Sequence, residues 1–120
     1  MATILAIDDE PILLEIVKTT LESQGHRVET ALDGVTGLQK ARELNPSLIL
    51  LDVVMPGMDG FEVLSRLMAE EKTWRIPVVM LTAKRETESV FRAQELQVSD
   101  YLIKPFSAQD LLDVIRRYAI

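Results

Sequence analysis

The sequence predicts an α/β fold in which one parallel five-stranded sheet is covered by helices on both faces. Short apolar runs recur at Thr3 to Ile7, Leu48 to Leu51, Ile76 to Leu81 and Tyr101 to Ile103, with the more polar Arg27 to Ala31 as a fifth strand. Segments of helical period lie between them. Strict alternation of strand and helix over short connections implies parallel strands. Unbroken runs such as Leu48-Ile49-Leu50-Leu51 suit strands buried on both faces.

Each helix carries its own signals. The first opens at Pro11, aligns Leu14, Val17 and Leu21 on one stripe, and closes at Gly25. A second fits Val35 to Leu44 and is stopped by Asn45-Pro46, because the residue before a proline is driven out of helical geometry. The third places Phe61, Leu64, Leu67 and Met68 on one face, and a weaker pattern runs near Glu86 to Leu96. The last begins at Ser107, where Ser-Ala-Gln-Asp forms a capping-box pattern ahead of Leu111, Val114, Ile115 and Tyr118.

With 120 residues, 48% of them hydrophobic, the chain can bury one core, so residues 1–120 are read as one domain. It opens without a basic segment followed by an apolar one, and no apolar run approaches the roughly 20 residues of a membrane span. A soluble, cytoplasmic protein with no membrane partner is expected. The absence of cysteine removes disulfides, thiolate metal sites and cysteine nucleophiles together. A formal charge of -6 argues against this chain gripping nucleic acid by itself, although a partner domain could do so.

Ligands of an open parallel sheet bind outside the carboxyl ends of its strands, near the switch point in strand order. Those ends are polar here: Asp8-Asp9-Glu10 after the first strand, Asp52 after the third, Thr82 after the fourth and Lys104 after the fifth. Carboxylates converging on one edge repel unless a positive charge sits among them. A hard divalent cation with oxygen ligands, Mg2+ or Mn2+, suits such a cluster. The other reading of Asp8, Asp9 and Glu10 is that they cap the helix beginning at Pro11. Asp52 is harder to read as a turn residue, because it stands between a fully apolar run and the loop Val53-Val54-Met55-Pro56-Gly57-Met58-Asp59-Gly60. Lys104, extended by the proline after it, has a stem long enough to reach back over the strand ends and neutralise the carboxylates. Thr82 offers a hydroxyl at a neighbouring strand end, or serves as a cap or turn residue.

Taken together, Asp8-Asp9, Asp52 with Met55-Pro56-Gly57-Met58-Asp59-Gly60, Thr82-Ala83 and Tyr101-Leu102-Ile103-Lys104-Pro105-Phe106 resemble the receiver domain of two-component response regulators. The resemblance spans essentially the whole chain. It implies a flavodoxin-like (βα)5 three-layer sandwich with strand order 2-1-3-4-5. It also implies that Asp52 accepts a phosphoryl group from a phosphohistidine on a histidine kinase or histidine phosphotransfer protein. Carried over residue by residue, Asp9, Asp52 and the backbone carbonyl of Val54 hold Mg2+, Asp8 assists through metal-bound water, and Lys104 and Thr82 contact the phosphoryl oxygens. Thr82 and Tyr101 would form the switch that reshapes the face built from the fourth helix, fifth strand and fifth helix toward a downstream protein or output domain. Lys104-Pro105 is a candidate cis bond on the same grounds. Such a protein is a switch with self-directed phosphotransfer and slow autodephosphorylation, not an enzyme acting on a separate product.

The chain departs from the family at several places. Val54 and Lys84 occupy variable positions that influence water access to the phosphoryl group, and Gln97-Val98-Ser99-Asp100 replaces the usual Gly-Ala-Asp-Asp. Three rival functions fit the residues less well. A haloacid-dehalogenase-like phosphatase needs a second aspartate where Val54 stands. An FMN binder needs a phosphate loop where Asp8-Asp9-Glu10 would repel one. A non-phosphorylated docking receiver would have family positions missing, and all are filled. His26 is read as a solvated loop residue, Met55 and Met58 as loop packing, and Trp74 as packing at the opposite end of the sheet.

Overall fold

The computed structural model describes residues 2–83 and 98–119. The elements run β1 (Thr3–Ile7), α1 (Pro11–Glu22), β2 (Arg27–Ala31), α2 (Gly34–Leu44), β3 (Leu48–Asp52), α3 (Gly60–Ala69), β4 (Val78–Ala83), β5 (Asp100–Lys104) and α4 (Ala108–Tyr118). All five strands are parallel and stand in the order β2-β1-β3-β4-β5. The fold expected from the sequence is therefore the one observed. The segment near Glu86 to Leu96, together with Lys84 and Gln97, lies outside the described residues.

Two apolar layers sandwich the sheet. On one face Ile7, Ile49, Leu51 and Met80 meet Leu38 and Ala41 of α2 and Phe61, Leu64 and Leu67 of α3. On the other, Ile4, Ala6, Leu50 and Leu81 meet Leu14, Val17 and Leu21 of α1 and Leu111, Val114 and Ile115 of α4. All five residues of β3 are buried, as a central strand of a doubly covered sheet requires. No helix among the described residues is long and apolar enough to cross a membrane.

Local chemistry sets the helix ends. Asp33 and Asp59 accept the Thr36 and Glu62 backbone N–H groups at the starts of α2 and α3. Ser107 and Asp110 complete the expected capping box on α4. Asn45 stops α2 in the left-handed region at φ 47°, its N–H donated to the Ala41 carbonyl.

Four readings need correction. Strand β4 spans Val78 to Ala83 rather than Ile76 to Leu81, since Pro77 has no N–H for a ladder. On α3 the buried face takes Val63, while Met68 is exposed. His26 is not simply solvated: it is half-buried, and its Nδ1 accepts the Ala2 N–H at 3.3 Å. Trp74 packs less than expected, with 51% of its surface exposed and the Arg75 guanidinium 4.8 Å from its ring centroid.

Candidate functional site

The carboxyl ends of β1, β3 and β5 bring Asp8, Asp52 and Lys104 together. Asp8 follows β1 directly, its N–H donated to the Ala31 carbonyl at 3.1 Å, and it is fully buried. Asp52 closes β3 with 5% of its surface exposed, opposite Leu81 of β4. Lys104 closes β5, and its ammonium reaches past the end of β4 to lie 2.8 Å from Asp8 Oδ2 and 3.2 Å from Asp52 Oδ1. The Lys104-Pro105 peptide is cis, as the resemblance implied.

On the α1 side, carboxylate oxygens of Asp8, Asp9 and Glu10 all lie within 4.8 Å of one another, Asp9 and Glu10 being exposed. These residues do not cap α1 with their side chains. Glu10 occupies the cap position without a side-chain hydrogen bond to the helix, and its backbone N–H is donated to Asp8 Oδ1 at 3.0 Å. Its own carboxylate faces Lys104, with Oε1 3.6 Å from Nζ. Sequence spacing does not reveal that contact. The signal available in the sequence was that glutamate is not among the preferred cap residues, so its side chain was free for another task.

Thr82 is buried near the end of β4, its hydroxyl donating to the Ala83 carbonyl at 3.3 Å. Val54 sits on the rim, 56% exposed, and Met55 is buried in the core below it. Tyr101 lies three residues before Lys104 on β5, paired with Met80 and half-buried against the α2/α3 layer. Burial, with the charge of Asp100 beside it, raises the Tyr101 phenol above its usual range.

Burial dominates the electrostatics. It pushes the Asp52 carboxyl up to about 7, reinforced by the negative charge of Asp8 and opposed by Lys104. The Asp8 carboxyl is also raised, mainly by burial, with the Lys104 hydrogen bond pulling the other way. Burial works against the Lys104 ammonium, but its bond to Asp8 and the charges of Asp52 and Asp8 outweigh it, so the ammonium is held above its ordinary value. Among the described residues two buried acids share one cation, Lys104, and the cluster there is short of positive charge.

Gly60 is a positioning residue that patterning did not reveal. A Cβ there would collide with the Asp52 carbonyl oxygen and lie 2.9 Å from Val53 Cα, while the Gly60 N–H donates to the Val53 carbonyl at 2.9 Å. The start of α3 thus packs directly against the backbone that carries Asp52. Gly60→Ala should cost about 1–3 kcal/mol of stability, the range for overpacking, because backbone rather than a side chain must yield. Urea denaturation checks it, and an unchanged midpoint would contradict the close approach.

Beyond the geometry, residues 4–116 match the family model described as the response regulator receiver domain. The chain belongs to that family. Receiver domains are the phosphorylation-controlled switches of two-component response regulators, and magnesium and phosphoaspartate are typical of them. This receiver is 40% identical over 116 residues to the DNA-binding dual master transcriptional regulator RpaA of Synechocystis sp., a match covering 97% of the chain and 48% of RpaA. It is 39% identical over 111 residues to the transcriptional regulatory protein AfsQ1 of Streptomyces coelicolor, covering 92% of the chain and 48% of AfsQ1. The receiver thus spans about half the length of the curated relatives it matches. In structure it resembles the chemotaxis protein CheY4 of Vibrio cholerae, with a TM-score of 0.92 at 34% identity and 98% of each chain covered. A putative response regulator from Chloroflexus aurantiacus superposes with a TM-score of 0.91 at 30% identity, covering 97% of this chain and 95% of the other.

Proposed function

We propose that Asp52 is the phosphoacceptor of this receiver, loaded from a phosphohistidine on a histidine kinase or histidine phosphotransfer protein. The observation that carries this reading is the nearly buried Asp52 carboxylate at the end of β3, 3.2 Å from the Lys104 ammonium. An Asp52 carboxylate oxygen attacks phosphorus, an O–P bond forms and the P–N bond to histidine breaks. The imidazole nitrogen keeps that electron pair. Lys104 and Thr82 stand at neighbouring strand ends, where an ammonium and a hydroxyl would meet the equatorial oxygens. Phosphoryl transfer needs this positioning and neutralisation more than covalent help from the protein.

The donor set fits a hard divalent ion: every group is an oxygen, Asp8 is fully buried, and among the described residues Lys104 alone leaves the acids undercompensated. Asp9, Asp52 and the Val54 carbonyl would hold Mg2+ or Mn2+, with Asp8 acting through water. Such an ion supplies neutralisation of charge on the transferring oxygens. Thr82 and Tyr101 are read as the switch pair, presenting β5 and α4 to a downstream protein or output domain. Residues 1–120 are taken as one cytoplasmic receiver unit. Any DNA contact of the kind named for RpaA is assigned to sequence beyond the half that matches.

Intact-mass spectrometry after incubation with acetyl phosphate and Mg2+ tests the assignment. Wild type should gain the mass of one phosphoryl group and Asp52→Asn should gain none. Addition to the Asn variant, or none to wild type, overturns it.

A further inference from the structure

We infer that Glu10 is a positioning residue of the phosphoacceptor site, acting through Lys104 and the metal side of the acidic cluster rather than as a helix cap. The inference rests on the proposed role of Asp52. Three observations carry it. Glu10 stands at the cap position of α1, yet its side chain makes no bond to that helix. Its backbone is held by Asp8 Oδ1, which directs the side chain to the mouth of the site. There its carboxylate lies 3.6 Å from Lys104 Nζ, a third acid on an ammonium already bonded to Asp8 and Asp52.

Two consequences of opposite sign follow from one charge. Glu10 shares the acidic cluster with Asp8 and Asp9, so its negative charge favours a divalent cation there. At the same mouth it repels a small anionic phosphoryl donor and draws Lys104 away from the place where phosphoryl oxygens arrive. Glu10 therefore tightens the metal and restrains loading by small anionic donors.

Glu10→Gln separates this from a structural role, because the amide keeps the size of the side chain and removes only its charge. A unit charge at about 6 Å in partly solvated surroundings shifts an equilibrium by about threefold to tenfold. Titration of the unphosphorylated protein with Mg2+, read by thermal shift, should give a midpoint higher in the variant by that factor. At saturating Mg2+ the acetyl phosphate concentration for half-maximal loading, read by intact mass, should fall by about twofold to fivefold. Both differences should shrink in 0.5 M KCl, where the Debye length is only about 4–5 Å. Metal-free stability should be unchanged, since no cap bond is lost. Unchanged Mg2+ and acetyl phosphate midpoints in a variant whose wild type loads normally would overturn the inference, as would a loss of metal-free stability with no shift in either. Failure of wild type to load at all would instead strike the assignment of Asp52, while the Mg2+ midpoint would still judge Glu10.

Discussion

Replacing Lys104 with methionine should destabilise the metal-free protein at pH 8 by about 3–5 kcal/mol, the usual cost of removing one partner from a buried ion pair. Methionine keeps most of the stem's packing, so the loss reads the charge. Asp8 is fully buried, and without the ammonium its carboxylate retains, among the described residues, only the Glu10 N–H as a hydrogen-bond donor. Asp52 would lose its ammonium partner while still facing the charge of Asp8. The deficit should narrow towards pH 5, because protonated carboxyls need no cation. Added Mg2+ should restore part of it by supplying positive charge to the same acids. Urea denaturation of wild type and variant, with EDTA and with Mg2+, checks all three statements. A variant within 1 kcal/mol of wild type at pH 8 would show that Lys104 does not neutralise the cluster.

The parts of this site that were legible in the sequence are those written in side-chain type at strand ends. A strand buried on both faces announces itself as an apolar run, so the first polar residue after it is marked at once. Asp8, Asp52 and Lys104 are marked in this way, and parallel topology requires them to share one edge. Contacts made by backbone leave no such trace. Gly60 reads as an ordinary turn glycine, and only the fold shows that its hydrogen faces the Asp52 carbonyl. Glu10 was hidden by a different ambiguity. An acidic residue before a helical proline fits a favourable helix start, and spacing cannot say that its carboxylate turns to a lysine far along the chain. Residues at the edge of a helical stripe are likewise close to degenerate. Met68 and Val63 both suit the buried side of α3, and packing against α2 and the sheet selects the valine.

Asp52 also gives the protein a pH dependence whose sign runs against the usual behaviour of paired carboxylates. Its folded value is raised from 3.8 to about 7, chiefly by burial and next by the charge of Asp8. The folded state therefore binds this proton more tightly than the unfolded state does. The resulting stabilisation is fully present below about pH 4 and is lost as the pH rises through about 7. About three units at roughly 1.4 kcal/mol each set an upper figure of about 4 kcal/mol, and solvent relaxation at the rim reduces it to about 2–4. Asp8, raised in the same direction, adds to the slope. In EDTA, wild type should lose stability between pH 5 and pH 8, whereas Asp52→Asn should lose less and exceed wild type at pH 8 by about 2 kcal/mol. Asparagine forfeits the charged bond to Lys104 but removes the cost of burying a charge and, with it, the repulsion from Asp8, and the upward shift says that these together are larger. Mg2+ should invert the comparison, stabilising wild type more than the variant at pH 8 and less so at pH 5, where Asp52 holds its proton. Chemical denaturation across pH, with and without the ion, provides the measurement. Parallel curves for the two proteins in EDTA would mean that Asp52 is already a comfortable anion, and the need for a cation at this site would lose its electrostatic basis.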